Sequence, residues 1–495
     1  MSFSDWTPIR HGTEPAFLTI VAVEYADGHA DAYLLPLTLV GQDRVDRVLK
    51  ESAGAVLARI TGARKGAIVD GLIDDETCSE ILRLITEPRE TATARGRVMG
   101  TILRQDALER RPSIAWTRPA GDQSNTLAFA DGRVVLKLFR RIEPGLNPEY
   151  EFGRFLSEHA FSRAPALVGA LEYHRAGLEP GTLAVAQAAV VHQGSGWEFS
   201  VNELRRFFER VAPRGAAPAA DRAHPAPPPQ LEHWYLLTAS TLGRRTAELH
   251  LTLAHSKDPA FVPEPFTPGA LDDVADRMHA HAHRSLTLLG QRLPTLTDAA
   301  RAQADVVLAS AGAIDAAFDR MRGLRGAGMR IRVHGDYHLG QVLRTEEDFV
   351  ILDFEGEPIR SIAERRAKQS PMKDVAGMVR SYSYAAYAAL FSFTTHTPDL
   401  YPTLEGWADL WQSRAADAFL DGYAATMGGA AIVPHADAWT RMLCAFMLDK
   451  ALYELEYELN HRPDWVLIPL MGVRNLVAGH LQRWARSLEV SGKTD

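Results

Sequence analysis

The sequence predicts an α+β protein, with its strands concentrated in the first two hundred residues and a mainly helical second half. Two observations predict this class: two β-hairpin patterns that each turn at an Asp-Gly pair, and helical patterns that resume at Trp234 and continue to the end. A chain of 495 residues also exceeds the roughly 250–300 residues that one hydrophobic core supports. We therefore expect more than one domain.

The first section, residues 1–90, is predicted to be a small α/β cap. Residues 17–23 and 33–40 flank Asp27-Gly28 as the strands of a hairpin, and residues 45–59 and 76–84 have helical patterns. No side chain in this section stands in a pattern that indicates chemistry.

The second section, residues 91–193, is predicted to be rich in β-strands. Residues 124–130 and 133–139 form a second hairpin around Asp131-Gly132, in which Lys137 lies between Val135 and Phe139 on one face. A further apolar strand runs over 183–191. It leads into a glycine-containing segment that suits a hinge.

The third section, residues 194–495, is predicted to be a helical lobe. Within it, residues 212–229 are rich in proline and alanine, a composition that cannot bury a core. We expect a flexible surface loop there.

Acidic and amide residues follow two short apolar strands in this third section. Asp336 lies after the first strand, with Gln341 five residues later, and Asp353 and Glu355 follow the second strand. A carboxylate that accepts a hydroxyl proton, an amide oxygen and two carboxylates for Mg²⁺ are the parts needed for phosphoryl transfer from ATP. The pattern predicts a kinase with Asp336 as catalytic base and Gln341, Asp353 and Glu355 as metal ligands.

Two other functions fit parts of this pattern. The spacing His334-x-Asp336-x-His338 is also compatible with zinc in a metallohydrolase, and a nucleotide-binding accessory subunit without turnover is the other alternative. Gln341 is a poor zinc ligand, however, and an inactive copy has no need to retain Asp336, Gln341 and Asp353 together. The kinase is favoured, with His334 bracing the loop.

The predicted cofactor contacts lie in the second section. Lys137 has two interpretations. Either its aliphatic stem simply covers a half-exposed sheet, or its ammonium binds the ATP phosphates. In the second case Glu151 holds the ammonium, from the helix that begins at Pro148. Further expected contacts to the nucleotide come from Ser124 and Asn125 for phosphate oxygens and from the main chain between Gln187 and Val191 for the adenine edge.

A polar and aromatic helix face is the candidate sugar site. Lys450, Tyr453, Glu454 and Tyr457 recur at helical spacing, which is also typical of a salt-bridged packing helix. His338 and Arg462 complete the predicted substrate contacts.

Bulk properties favour a cytoplasmic protein that acts on small molecules. The net charge of −8 argues against nucleic acid as a partner. Two cysteines fit a reducing compartment, and neither a membrane-spanning run nor a signal peptide is recognised.

Several motifs resemble those of aminoglycoside-phosphotransferase-type members of the protein-kinase-like superfamily, and more narrowly those of the maltokinases. They lie at 122–126, 136–141, 147–148, 334–344, 353–358, 373–377, 449–450 and 461–463. The resemblance implies a bilobal protein-kinase-like fold. It also implies ATP and Mg²⁺ as cofactors and maltose as the sugar phosphorylated to maltose 1-phosphate.

The same resemblance carries expectations about partners. It implies a role in α-glucan or glycogen synthesis from trehalose, with possible association or fusion with a trehalose synthase. It also suggests that the chain starts partway into the cap, without an aromatic-rich first strand. The alternative is a kinase for another sugar or for an amino sugar such as glucosamine, whose nitrogen would favour an additional carboxylate, Asp449 or Glu454.

Overall fold

A computed structural model describes residues 1–62, 65–87, 90–104, 114–119, 125–217 and 233–478. The chain forms two compact units. Met1–Val191 and Pro358–Arg365 make the N-terminal unit, and His192–Glu357 and Arg366–Asp495 make the C-terminal unit. The first unit is rich in sheet and the second is mainly helical, which confirms the predicted α+β class.

Among its described residues, the N-terminal unit contains two antiparallel sheets, three complete helices and the first four residues of a fourth, which is given below as α9. The strands are β1 (Ser2–Arg10), β2 (Ala16–Glu24), β3 (Ala30–Gly41), β4 (Val56–Ile60), β5 (Gly66–Asp70), β6 (Glu90–Ala92), β7 (Arg97–Ile102), β8 (Trp116–Thr117), β9 (Thr126–Ala130), β10 (Val134–Leu138), β11 (Arg141–Ile142), β12 (Leu167–His174) and β13 (Gly181–Ala188). The helices are α1 (Gln42–Glu51), α2 (Asp75–Thr86) and α3 (Pro148–Glu158). One sheet has the order β1-β2-β3-β5-β4, with β11 beside β3, and the other has the order β6-β7-β12-β13-β10-β9-β8.

Both predicted hairpins are present, as β2–β3 and β9–β10. Side chains alternate along β10 as predicted, so Leu136 packs in one apolar cluster and Phe139, just after the strand, packs in another. Lys137 lies on the Phe139 side, with its ammonium 5.7 Å from that ring. The β-rich second section thus has two buried faces.

One expectation for the cap is wrong, and one strand was not predicted. The chain has a first strand, β1, in which Trp6 packs edge-on against Phe17 with ring centroids 5.9 Å apart. The helix predicted over 45–59 ends at Glu51, and Val56–Ile60 forms β4 instead. Hydrogen bonding to β5 outweighs the weak local preference of this segment for helix.

The C-terminal unit is built from helices with two small two-stranded ribbons. Its helices are α4 (Gly196–Val211), α5 (His233–Ala254), α6 (Pro268–Arg292), α7 (Asp298–Ala309), α8 (Ala311–Asp319), α9 (Ile362–Arg366, beginning in the N-terminal unit), α10 (Met372–Thr394), α11 (Tyr401–Met427), α12 (Ala436–His461) and α13 (Leu467–Val477). Its strands are β14 (Glu264–Pro265), β15 (Met329–Arg330), β16 (Val342–Arg344) and β17 (Phe349–Ile351).

Glycines allow α5 and α11 to approach closely. A Cβ atom at Gly243 would lie 2.0 Å from the carbonyl oxygen of Phe419, and one at Gly422 would lie 2.1 Å from that of Ser240. No side chain fits at these crossings, so the helices meet backbone to backbone.

The proline-rich segment is described only in part. Ala212–Arg214 form a 3₁₀ turn, and the carbonyl of Gly215 accepts a hydrogen bond from the Trp407 indole at 2.9 Å. Residues 218–232 lie outside the described residues, so the predicted flexibility stays a prediction. No helix in the described part of the chain is long and apolar enough to cross a bilayer.

Candidate active site

The predicted acidic motif forms one loop and one ribbon in the C-terminal unit. Residues 334–341, which we call the acid loop, end in a 3₁₀ turn at Leu339–Gln341 that runs into β16. Strand β17 pairs antiparallel with β16, as Val342↔Ile351 and Arg344↔Phe349 show. The two-strand ribbon predicted from the sequence is confirmed.

A buried carboxylate on α10 holds the start of the acid loop. Asp374, which is 1% exposed, accepts hydrogen bonds from the main-chain N–H groups of His334 at 2.8 Å and Gly335 at 2.9 Å. The ring of His250 bonds to the same carboxylate at 3.1 Å. Burial raises the pKa of Asp374, but the hydrogen bonds from His250 and from the loop lower it by more than burial raises it. The net shift of the pKa is downward, so the group stays ionised.

The same helix face holds the rest of the loop. The hydroxyl of Ser381 accepts the N–H of Leu339 at 3.0 Å, and a Cβ at Gly377 would lie 2.5 Å from the carbonyl oxygen of Tyr337. Positions 374, 377 and 381 share one side of a helix. We did not assign Asp374 or Ser381 a role from sequence, although the motif at 373–377 and this spacing were a usable signal.

Asp336 projects from the acid loop into an ion pair. Its carboxylate lies 2.9 Å from Nζ of Lys450 on α12 and 3.9 Å from Nε2 of His338. Burial raises the pKa of Asp336, yet Lys450 and then His338 outweigh burial and hold it well below its usual range. Burial lowers the pKa of His338, and so favours its neutral form. Asp336 is therefore an ionised carboxylate that can accept a proton.

His334 is not placed to bind zinc. Its Nε2 donates to the carbonyl of Leu352 at 2.7 Å, and its Nδ1 faces the main-chain N–H of Asp336 at 3.4 Å. Among the residues that the structure describes, no group of three or more His, Cys, Asp or Glu is arranged to hold a metal ion. The geometry favours the predicted bracing role and does not favour the metallohydrolase.

Two predicted metal ligands lie side by side. The Gln341 amide and the Asp353 carboxylate are 3.0 Å apart, and the main-chain N–H of Leu352 bonds to the carbonyl of Gln341 at 2.8 Å. Asp353 adopts the left-handed conformation with φ +62°, an uncommon geometry that often marks functional positions. Glu355 follows in a half-buried position. Carboxylate and amide oxygens are donors that fit Mg²⁺.

Helix α12 brings part of the predicted sugar face to Asp336. Lys450 lies over the Tyr453 ring, 4.5 Å from its centroid, so both are next to the acid loop. Glu454 instead forms an ion pair with the buried Arg380. Asp449, the other carboxylate considered for an amino sugar, bonds to His281 at 2.6 Å.

The end of the same face is more exposed. Tyr457 is 42% exposed and stacks on His461, with ring centroids 4.6 Å apart. Arg462 lies 5.3 Å from the Tyr457 centroid and pairs with Glu458 at 2.6 Å. Tyr457 and Arg462 therefore contact each other, whereas Lys450 contacts Asp336 of the acid loop and Tyr453 contacts Lys450.

The predicted phosphate-binding lysine is buried in the N-terminal unit. Lys137 is 8% exposed, and the carboxylate of Glu149 lies 3.8 Å from its ammonium. Asn147 caps α3 by accepting the N–H of Glu149 at 2.8 Å, and Gln187 donates to the Glu149 carboxylate at 2.7 Å. Glu149 was not selected from sequence. Glu151, the residue that the sequence analysis selected, is also buried, and its role stays a prediction.

The other expected nucleotide contacts have different surroundings. The main chain of Gln187 is paired on both sides, with Val135 and Leu167, so the sheet occupies this position. Val191 is 93% exposed, Asn125 immediately precedes β9, and Ser124 lies outside the described residues. The adenine contact expected from residues 187–191 stays a prediction.

Comparisons with known proteins agree with a kinase. No family model matches the chain. Glucosamine kinase of Streptacidiphilus jiangxiensis is 27% identical over 366 residues, 73% of each protein. Glucosamine kinase of Mycolicibacterium smegmatis (strain ATCC 700084 / mc(2)155) is 25% identical over 353 residues, 70% of this chain and 76% of the relative.

Solved structures show the same fold. A glucosamine kinase in complex with glucosamine, ADP and inorganic phosphate matches with a TM-score of 0.63 at 21% identity, covering 96% of this chain and 93% of that one. A second crystal structure of a glucosamine kinase matches with a TM-score of 0.62 at 20% identity, covering 97% and 92%. The chain thus has the kinase-like fold that the sequence predicted.

Fold, loop geometry and relatives together support an ATP-dependent kinase of a small molecule. The cofactors of such a kinase are ATP and Mg²⁺. The ion neutralises charge on the transferring phosphoryl group. Gln341 donates an amide hydrogen bond to Asp353 at 3.0 Å, and both side chains carry oxygen atoms of the kind that bind such an ion.

Proposed function

We propose that the protein is an ATP-dependent amino-sugar kinase, with glucosamine as the first substrate to test. The observation that carries the kinase part is the Asp336–Lys450 ion pair at 2.9 Å, which keeps a carboxylate ionised at the tip of a rigid loop. The amino-sugar part is supported by the two glucosamine kinases, each aligned over at least 70% of this chain.

We assign the roles as follows. Asp336 accepts or orients the proton of the attacking sugar hydroxyl, and Lys450 sets the direction of its carboxylate. Gln341, Asp353 and Glu355 hold the metal ion. Further proposed contacts are Lys137, Glu149, Glu151, Ser124, Asn125, Gln187 and Val191 for ATP, and His338, Tyr453, Glu454, Tyr457 and Arg462 for the sugar.

A maltose 1-kinase is the second candidate. The motifs at 334–344 and 353–358, which resemble those of the maltokinases, favour it. Both Asp449 and Glu454 also already have basic partners, which weakens their candidacy for a substrate nitrogen. A role in α-glucan synthesis, or an association with trehalose synthase, would follow only from activity on maltose.

The domain plan and compartment remain part of the proposal. We keep a cap over 1–90, a nucleotide-binding section over 91–193 and a catalytic section over 194–495. We also keep the cytoplasm as the compartment, since Cys78 and Cys444 are both free thiols.

A coupled ADP-release assay tests the substrate. Purified protein with ATP and Mg²⁺ is given glucosamine, N-acetylglucosamine, maltose, glucose or trehalose in separate reactions. We expect kcat/KM for glucosamine to exceed that for every other sugar by at least about tenfold, the effect of about 1.4 kcal/mol of added recognition. Turnover of maltose without turnover of glucosamine would reject the amino-sugar proposal in favour of the second candidate.

A matched pair of variants tests the kinase part. Asp336→Asn should lower kcat by about 10²–10⁴, the usual contribution of a general base, and leave binding of ATP nearly unchanged. Asp298→Asn makes the same chemical change at a side chain that is 99% exposed, and it should behave as wild type. Full turnover by Asp336→Asn would exclude Asp336 as the base.

A further inference from the structure

A guanidinium from helix α5 holds the turn of the β16–β17 ribbon. The Nε and Nη2 atoms of Arg245 each donate a hydrogen bond to the carboxylate of Asp348, both at 2.7 Å. The two side chains are each only 15% exposed. A two-pronged pair of this kind fixes direction as well as distance, unlike an ion pair between two exposed side chains.

The same guanidinium is anchored on its own helix. Its Nη1 atom donates to both carboxylate oxygens of Glu248, at 2.7 Å each, about one turn further along α5. The hydrogen bonds to Asp348 are the largest influence on the pKa of Arg245, and the net effect is a raised pKa, so the group stays charged. Arg245 is therefore a cation with a fixed direction.

The ribbon is too short to be rigid by itself. Its strands have three residues each, and an isolated two-stranded hairpin is only marginally stable in water. At about 3.4 Å per residue, the turn lies about 10 Å from the end of the ribbon beside which Gln341 and Asp353 stand. A tilt at the turn therefore moves the two residues that we propose as metal ligands.

Two other contacts support different parts of the ribbon. The N–H of Gln193 donates to the carbonyl of Arg344 at 2.7 Å, and the N–H of Arg344 donates to the carbonyl of Gly194 at 2.9 Å, so this segment pairs with the outer edge of β16. At the end away from the turn, the His334 ring bonds to the carbonyl of Leu352 at 2.7 Å. The pair between α5 and the turn supports the start of β17, because Asp348 immediately precedes that strand.

The same helix also holds the acid loop. The hydroxyl groups of Thr246 and Tyr337 lie 2.9 Å apart, and His250 bonds to the carboxylate of Asp374 at 3.1 Å. Arg245 therefore fixes the ribbon against the helix that also supports the loop of the catalytic base. One rigid element thus sets the positions of both parts of the candidate active site.

We propose that Arg245 is a positioning residue for the metal site, which acts through Asp348 to fix the tilt of the ribbon. The tilt in turn fixes where the oxygen donors of Gln341 and Asp353 stand relative to the acid loop. This inference rests on the proposed kinase function, and it adds a residue that acts on the metal ion only through the ribbon. Metal-dependent binding of the nucleotide should therefore require Arg245, and metal-free binding should not.

Calorimetric titration of the full chain separates these two kinds of binding. A non-hydrolysable ATP analogue is titrated once with saturating Mg²⁺ and once with EDTA in place of Mg²⁺. We expect Arg245→Gln to raise the Kd for the analogue with Mg²⁺ at least about tenfold, the effect of one charge-assisted hydrogen bond. The Kd with EDTA should stay the same, because the ribbon then has no metal ion to bind.

Two arginine variants serve as controls. Arg441→Gln makes the same change at a side chain on α12 that is 44% exposed, and it should leave both Kd values unchanged. Arg245→Lys keeps the charge but not the two-pronged geometry, so it should recover only part of the loss. Circular dichroism confirms that each variant is folded.

A double-mutant cycle tests whether Arg245 acts through Asp348. Asp348→Asn keeps an oxygen for the N–H of Phe349, which Asp348 accepts at 2.8 Å, and removes the charge that faces Arg245. It should raise the Kd with Mg²⁺ as well. Adding Arg245→Gln to Asp348→Asn should then change that Kd by less than about twofold, because the pair is already broken.

Three results would overturn the proposal. They are an unchanged Kd with Mg²⁺ in Arg245→Gln, an equal loss with and without Mg²⁺, and fully additive effects of the two substitutions. A wild type that binds no nucleotide under either condition rejects the proposed kinase instead, so the two failures are distinguishable.

Amide hydrogen exchange tests the ribbon without any ligand. Exchange over 342–353 should be at least about fivefold faster in Arg245→Gln than in the wild type, because one fixed support of the turn is lost. Exchange over the same residues in Arg441→Gln should match the wild type. Identical exchange in all three proteins would show that Arg245 does not hold the ribbon.

Discussion

Asp374→Asn tests whether one buried carboxylate holds the acid loop. In the wild type its two oxygens accept the N–H groups of His334 and Gly335, and His250 bonds to it as well. Asparagine has the same shape but only one acceptor oxygen. One main-chain N–H of the loop therefore faces an amide N–H and loses its partner.

The magnitude follows from the bonds that are lost. A hydrogen bond to a charged group contributes about 1.5–3 kcal/mol, and a buried N–H left without an acceptor carries a further desolvation cost. We expect the loop to be destabilised by about 2–3 kcal/mol, which corresponds to an increase of about 30- to 150-fold in local opening. Displacement of Asp336 by about 1 Å should also lower kcat about 10²-fold.

The pH of the measurement matters, because the pKa of Asp374 is lowered in the folded state. A group with a depressed folded pKa contributes its full stability above the unfolded value of about 3.9 and loses it as the pH falls through the folded pKa. At pH 7 the substitution thus removes the whole contribution. As the pH falls below about 3.9, the difference between variant and wild type should shrink.

Peptide-resolved hydrogen exchange over 331–341 at pH 7 is the assay, with ADP release as the second readout. Asp409→Asn is the matched control. Asp409, on α11, accepts a hydrogen bond from Tyr387 at 2.7 Å, and none of the described contacts joins it to the acid loop. The control should leave exchange over 331–341 unchanged. Identical exchange there in Asp374→Asn and wild type would refute the anchoring role.

Two further predictions concern the charged pairs. Lys450→Met should lower kcat at least about tenfold and move the acid limb of the kcat/KM profile to higher pH. Without the Lys450 ammonium, the effect of burial, which raises the pKa of Asp336, is no longer opposed by that cation. A pH profile with the wild-type acid limb would contradict this. Glu149→Gln should raise the KM for ATP several-fold, because it releases Lys137. Glu158→Gln, the same change at an exposed position, should not raise it. Equal KM values for both variants would show that Glu149 does not position the lysine.

The sequence was informative where function depends on neighbours along the chain. Asp336 and Gln341 lie in one loop. Gln341 immediately precedes β16 and Asp353 follows β17 at the same end of the ribbon, so their proximity follows from a short connection. Lys450 and Tyr453 share a helix face for the same reason, since three residues make nearly one turn. Local periodicity determines these placements, whatever the rest of the fold.

Partners far apart in the chain were decided by the tertiary structure. Asp374 bonds to an amide 40 residues earlier, and Lys450 pairs with a carboxylate 114 residues earlier. In α3 the pattern pointed to Glu151, whose role stays a prediction, whereas the proximity of Glu149 to Lys137 became visible only in the structure. Helical spacing could not show that Glu149 lies near Lys137, because this depends on how the helix is rotated against the sheet.

The sequence by itself determined the α+β class, the acid loop and the two-strand ribbon, because each is encoded by alternation, helical periodicity and turn residues within a few tens of positions. Only the tertiary structure decided which groups hold the loop, which cation faces Asp336, and that Arg245 bonds to the turn of the ribbon. The physical reason is that hydrogen bonds and ion pairs between distant segments depend on packing. A periodic pattern specifies the buried face of a helix or strand, but not the element that covers it.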